Sequence, residues 1–231
     1  MTKMSTTSRR QGFTAYRTYV SGLKDLAGEF QRSDDWNEWA NAALNGQASQ
    51  KLRQVIPLKT RRRVGAFFTG SDLAAQLISR CGKFNKRCII HDPSLGMGDL
   101  LLATARKLPL ERTLNETLKQ WGRQLTGTDI HFEFVEGSKT RLVILAQQRH
   151  GSKSRGVTSI AGLFPSIRVA DGLLQHKLFA RATHLTLNPP FGLTERSTLG
   201  DAKSRARNYF NQYKRALEKQ TPDILADLRN L

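Results

Sequence analysis

Four short apolar runs, each closed by an acid or an amide, constrain this 231-residue chain more than any other feature of it. The first is Cys88-Ile89-Ile90-His91-Asp92, and a weaker one runs from Gln124 to Ile130. Ile167-Arg168-Val169-Ala170 leads into Asp171, and His184 to Leu187 leads into Asn188. All four are strand length, and helix-length stretches (Asp99 to Lys107, and Phe134 to about His150) stand between the first three. Strands that alternate with helices imply a parallel sheet covered on both faces, so the expected class is α/β. The fourth run stops most abruptly, in Leu185-Thr186-Leu187-Asn188-Pro189-Pro190-Phe191-Gly192. Neither proline can donate to a ladder, and Pro189 biases Asn188 away from the α region, so the turn is stiff. In open α/β sheets ligands bind at that edge.

Charge points to the partner. The formal charge of +18 comes from 37 Lys and Arg against 19 acids. The excess is spread, with 12 basic and 5 acidic groups through residue 63, 17 and 9 over 64–192, and 8 and 5 beyond. A dispersed excess of this size suggests a polyanion, most simply nucleic acid. No apolar run approaches the roughly 20 residues of a membrane span, and Met1 to Arg10 does not read as a signal peptide. Cys81 and Cys88, at x6 spacing, fit neither a zinc framework nor a disulfide scaffold; reduced thiols in a cytoplasmic protein are the expectation.

Three regions are expected. Residues 1–63 read as a basic arm followed by a helical extension. Phe13, Tyr16, Val20, Leu23, Ala27 and Phe30 recur at helical spacing. A second helix follows Ser33, its expected N-cap, with the stripe Trp36, Trp39, Ala40, Ala43 and Leu44. Both tryptophans read as packing residues that join this extension to the rest, and Arg61-Arg62-Arg63 as a solvated turn or a phosphate contact. Residues 64–192 hold the strands. Residues 193–231 read as a basic helical segment, with no clear strand to continue the sheet past its fourth member.

The first strand-to-helix turn is Asp92-Pro93-Ser94-Leu95-Gly96-Met97-Gly98-Asp99-Leu100-Leu101. Gly96 and Gly98 would let a ligand approach the backbone at a helix N-terminus. A dinucleotide fingerprint needs a third glycine where Leu101 stands, and no Gly-Lys-Ser/Thr follows for a Walker loop. Asp92 is expected to face the ligand and to suit an ammonium group. Asp129, at the second strand end, suits a pair of ribose hydroxyls, and Asp171, at the third, an exocyclic amine. Together they describe a zwitterionic nucleoside.

These motifs resemble those of the S-adenosylmethionine-dependent N6-adenine DNA methyltransferases of restriction–modification systems. Gly65-Ala66-Phe67-Phe68-Thr69-Gly70 resembles the family's Gly-x-Phe-Tyr/Phe-Thr-Pro segment, with Gly70 in place of proline. Asp92-Pro93 through Gly96, Gly98 and Leu100 matches its Asp-Pro-x-x-Gly-x-Gly-x-Leu loop, and Asn188-Pro189-Pro190-Phe191 its catalytic tetrapeptide. The resemblance implies a Rossmann-like methyltransferase sheet, mainly parallel and truncated after the fourth strand. It implies a cofactor site for S-adenosyl-L-methionine built from Phe68, Thr69, Asp92, Pro93, Gly96, Gly98, Asp129, Ile130, Asp171 and Leu173. Catalysis would fall to Asn188, Pro189, Pro190 and Phe191. The Asn188 carboxamide oxygen and the Pro189 carbonyl would each accept one amino hydrogen of a flipped adenine, and Phe191 would stack on the base. The partners implied are DNA and a second subunit that supplies the rest of the sheet and target recognition. The turn also occurs in enzymes that methylate adenine in RNA and glutamine in protein, and the short C-terminal region equally suits a non-catalytic nucleic-acid-binding remnant. All three alternatives stay open on the sequence.

Overall fold

Strand β1 (Ile90–Asp92) is buried at all of its positions, which is why its sequence lacks the polar–apolar alternation of a half-exposed strand. It is one of two inner strands in a computed structural model that describes residues 13–30, 35–151, 160 and 162–188. On one side β1 pairs with β2 (Leu125–Asp129), which pairs in turn with β3 (Ile167–Val169); on the other side it pairs with β4 (His184–Leu185). The order is β3-β2-β1-β4 and every described pairing is parallel, in keeping with the α/β expectation. Winding runs outward from β1 to β3 and then crosses back to β4. The chain therefore reverses direction between β1 and β4, the topology that opens a crevice at the carboxyl ends of those strands.

Register sets the depth of that crevice. Asp92 is level with Gly127, so Asp129 lies two residues farther along β2. Asp129 is level with Val169, so Asp171 lies two residues farther again. On the other side His91 is level with Leu185, which carries Asn188 two residues past the level of Asp92. At about 3.3 Å per residue, each such step is roughly 6–7 Å. Asp92 is thus the lowest of the strand-end groups.

Ten helical segments surround the sheet among the described residues. Helix α1 (Thr14–Gly28) and α2 (Trp36–Leu44) correspond to the two helices expected in the extension. They are followed by α3 (Gln47–Val55), α4 (Leu58–Val64) and α5 (Ser71–Ser79), which the apolar spacing does not announce. Then come α6 (Asp99–Lys107), α7 (Leu114–Gln124), α8 (Phe132–His150), a single 3-10 turn (Gly172–Leu174) and α9 (His176–Arg181). Helix α7 carries a full capping box between Thr113 and Glu116.

Two expectations are corrected. Arg61, Arg62 and Arg63 lie inside α4 and not in a turn. Pro57 presets the backbone ahead of the helix and Gly65, at φ 69°, closes it, so a short helix fits between two breakers. Trp36 packs as expected, its indole N–H donating to Leu26 O at 2.7 Å and its ring meeting Phe30 edge-on at 4.8 Å. Trp39 does not, and is 45% exposed. The buried stripe of α2 is Trp36, Ala40, Ala43 and Leu44. Its small residues let the helix approach its neighbours closely, which narrows the stripe and leaves Trp39 outside it.

Helix α8 is buried around most of its circumference because it lies between β2 and β3 and the N-terminal helices α1 and α2. Arg17 and Lys24 of α1 pair with Glu133 and Glu136 of α8 at 2.9 and 2.8 Å, and Gln147 Nε2 donates to Ala27 O at 2.8 Å. One cluster of buried residues runs from Phe13 to Ile167, so the extension and the strand-bearing region share a core. No helix among the described residues is long and apolar enough to cross a membrane. The expected basic arm, the Ser33 cap, the loop after Gly151, the residues Pro189, Pro190 and Phe191, and the C-terminal segment lie outside the described residues.

Candidate functional site

Strand β1 delivers Asp92 to a tight turn. Asp92 Oδ1 accepts the Ser94 N–H at 3.0 Å, Leu95 N donates to Thr128 O at 3.0 Å, and Thr128 Oγ1 donates to Pro93 O at 3.2 Å. These bonds lash the turn to β2. Asp92 is 1% exposed, so it lies at the floor of the site, away from the open cleft. Burial pushes its carboxyl up to about 7, against the Ser94 bonds that lower it and with help from the nearby Asp129 and Asp99 charges.

Asp129 stands one register step higher, and its carboxylate gathers backbone donors. Oδ2 accepts the Gly96 N–H and Oδ1 the His131 N–H, both at 2.9 Å. Burial raises its pKa to about 6 in spite of those bonds. A carboxylate offers about four acceptor positions, so room remains for hydroxyl donors. Ile130 beside it is 54% exposed, an apolar surface next to the acid.

Asn188 closes the opposite side. Its Nδ2 donates to Thr69 Oγ1 at 3.2 Å, and its backbone carbonyl accepts from Ser94 Oγ at 3.2 Å. With the amide nitrogen committed to Thr69, Oδ1 is the end of the side chain suited to accept from a ligand. Ser94 is a residue that the motif spacing did not single out. It ties the first strand's turn to the fourth strand's end.

Ser94, Asp129 and Asn188 line a cleft with about 600 Å³ of empty space, its open mouth included. Phe68, Pro93, Gly96, Asp129, Ile130, Asp171 and Asn188 all border it, and Phe67, His131 and Phe134 add aromatic wall. Thr69 and Asp92 border a smaller space beneath, shared with Phe68, Gly96 and Asn188. Asp171 is exposed at the rim. Gly98 borders neither space; it caps α6 with φ 78°, where a Cβ would lie 2.9 Å from Ser138 Cβ. The Leu173 backbone belongs to the 3-10 turn after Asp171.

The glycine loop is approached by the protein itself. A Cβ on Gly96 would lie 3.1 Å from Cδ1 of Phe68, whose ring packs edge-on against Phe134 at 5.0 Å. The backbone at Gly172 is in still closer contact, since a Cβ there would overlap the Pro93 carbonyl. That contact sets Asp171 beside the first turn, and it explains a glycine where none was expected to matter.

Arg141 supports the whole arrangement from behind. Buried in α8, it donates to Met97 O at 2.6 Å, to Ala43 O at 2.9 Å and to Asp99 Oδ1 at 2.9 Å. Asp99 Oδ2 accepts the Gly70 N–H at 2.8 Å. The only sequence signal for Arg141 is a cation set among apolar helix residues, Arg141-Leu142-Val143-Ile144.

Chemically the cleft combines acceptors in its floor and walls, aromatic surface along one side and backbone N–H groups already spent on Asp129. Such a set of acceptors suits a ligand bearing hydroxyls and positive charge better than a phosphate. Comparison with protein-family models, with curated proteins and with solved structures finds no match for this chain.

Proposed function

We propose that the chain is an S-adenosylmethionine-dependent methyltransferase acting on N6 of adenine in DNA, complete or as the catalytic part of a larger assembly. The observation that carries this is the register. It sets Asn188 and Asp129 on either side of, and two residues above, a buried Asp92, with Asp171 two residues higher still. In this reading the sheet is a Rossmann-like methyltransferase sheet and the crevice at the switch point is the cofactor site.

The cofactor would supply an electrophilic methyl group on a sulfonium. Asp129 would accept ribose hydroxyls, Ile130 and Phe68 would cover the base, Asp171 would accept from its exocyclic amine, and Asp92 with Thr69 would lie toward the amino-acid end. Asn188 Oδ1 would accept a hydrogen from the target amine and so aim its lone pair, while Thr69 fixes the carboxamide. No strong base is required before transfer.

Calorimetric titration of the purified chain with S-adenosylmethionine tests the cofactor site. A labelled-methyl assay offered DNA, ribosomal RNA and protein then tests the acceptor. Binding together with label in DNA adenine is the expected result; label in RNA or glutamine instead would transfer the assignment to those acceptors. A second reading, a non-catalytic nucleic-acid-binding protein, draws on the Phe68 ring, which lies against the glycine loop where a ligand would approach. A flat calorimetric trace would favour it.

A further inference from the structure

Phe67 is 44% exposed, yet it borders both the large cleft and the smaller space beneath it, and Asn188 borders both as well. The Arg61 guanidinium lies over its ring, 5.9 Å from the centroid. Neither residue has a part in the chemistry assigned to the cleft. Both are held in place. Arg61 Nε donates to Ile56 O at 3.1 Å, Ala66 N donates to Arg61 O at 2.9 Å, and Phe67 N donates to Gly65 O at 3.0 Å. Just past the end of α4 the chain thus presents an aromatic ring bordering the cleft, with a cation over it. Arg62 is exposed beside it.

We propose that Phe67, backed by Arg61, is a platform on which a base of single-stranded or base-extruded DNA stacks on its way to Asn188; this rests on the methyltransferase reading of the cleft. An aromatic ring accepts the face of any base, and a guanidinium can stack on that ring and still bond a phosphate. The chain's charge of +18 complements a polyanion. A small apolar ligand would have no use for the cation, and an acidic peptide matches it but brings a planar face only where an aromatic side chain stands, whereas every nucleotide brings both a face and a charge.

The test is fluorescence anisotropy on the full chain, with an end-labelled, adenine-containing single-stranded deoxyoligonucleotide titrated at several salt concentrations. Phe67→Ala is expected to weaken binding on the order of tenfold, and Phe67→Trp to restore it. Arg61→Gln is expected to lower the slope of log affinity against log salt by about 0.7. Thermal melting reads out folding. If Phe67→Ala fails to fold, Phe67→Trp decides the matter by its emission: quenching on addition of DNA supports the platform and none overturns it. Parental affinity in folded Phe67→Ala would overturn the platform, as would a parent chain that binds no oligonucleotide. Tighter binding of the matched ribo-oligonucleotide would overturn the assignment to DNA. Calorimetry with S-adenosylmethionine separates the two proposals. Cofactor binding without a Phe67 effect removes the platform and leaves the proposed function; a Phe67 effect without cofactor binding removes the proposed function and leaves Phe67 only as a base-stacking surface, overturning its place on a route to Asn188.

Discussion

Arg141 and Asp99 form a buried ion pair, Nη1 to Oδ1 at 2.9 Å, that joins three parts of the molecule at the back of the cleft. Asp99 opens α6 directly after the glycine loop, and Arg141 also bonds the carbonyls at the end of α2. The second oxygen of Asp99 holds Gly70, one residue after the Thr69 that bonds Asn188. A helical extension distant in sequence is thereby coupled to the segment that fixes the candidate catalytic amide.

Removing one member of this pair strands the other. Asp99→Ala leaves the buried guanidinium with backbone carbonyls but no counter-charge, and the Gly70 N–H without its acceptor, and is expected to cost about 3–5 kcal/mol in denaturant unfolding. A loss under about 0.5 kcal/mol would show that the pair does not hold the loop.

Gly172→Ala tests the closeness of the two strand-end turns. Its methyl group would overlap the Pro93 carbonyl, which is backbone and cannot swing aside. The expected cost is about 1–3 kcal/mol in thermal or denaturant unfolding, with weaker binding of S-adenosylmethionine as Asp171 is displaced. An unchanged melting temperature would contradict the contact.

The buried floor makes a pH prediction. Burial raises Asp92 to about 7 from its ordinary value of 3.8, so between roughly pH 4 and 7 the folded chain holds a proton that the unfolded chain has lost. Stability from this group is complete below about pH 4 and falls as pH rises through 7, by about 1.4 kcal/mol per pH unit inside that window. Asp129, raised to about 6, acts in the same direction; His91, which burial lowers to about 4, acts oppositely between pH 4 and 6.5. Asp92→Asn isolates the first effect, because its amide oxygen can still accept from Ser94 and cannot ionise. The variant is expected to match its parent near pH 4 and to become progressively more stable than it toward pH 7.5. Parallel melting curves across that range would rule out a raised pKa at Asp92.

Asn188→Ala addresses the proposed chemistry. It removes the acceptor and frees Thr69 while leaving Asp129, Ile130 and Asp171 in place. Binding of S-adenosylmethionine is expected to persist, with methyl transfer slowed by a factor on the order of 100 or more. Transfer at the parental rate would refute the role given to this residue.

The strand-end residues of the candidate site could be read along the chain, because each stands at or just past the end of a strand-length run and so near the carboxyl edge of the sheet. Asp92, Asp129, Asp171 and Asn188 were all found in that way. Local sequence also determined α1, α2, α6 and α8, whose apolar spacing or caps are complete within single segments. Height was not legible. That Asp92 lies below Asp129 and Asn188, sealed beneath Ser94, follows from inter-strand register, and register depends on which residues face each other across strands. Burial around α8 escaped the periodic reading for the same reason, since a helix enclosed on both sides needs no polar face. Arg141, Ser94 and Gly172 became visible only once distant segments met, because their partners lie tens of residues away and no spacing rule connects them. Residue type and strand ends come from the chain; the depth of each group, and with it the charge it can carry, was decided by the packing of one segment on another.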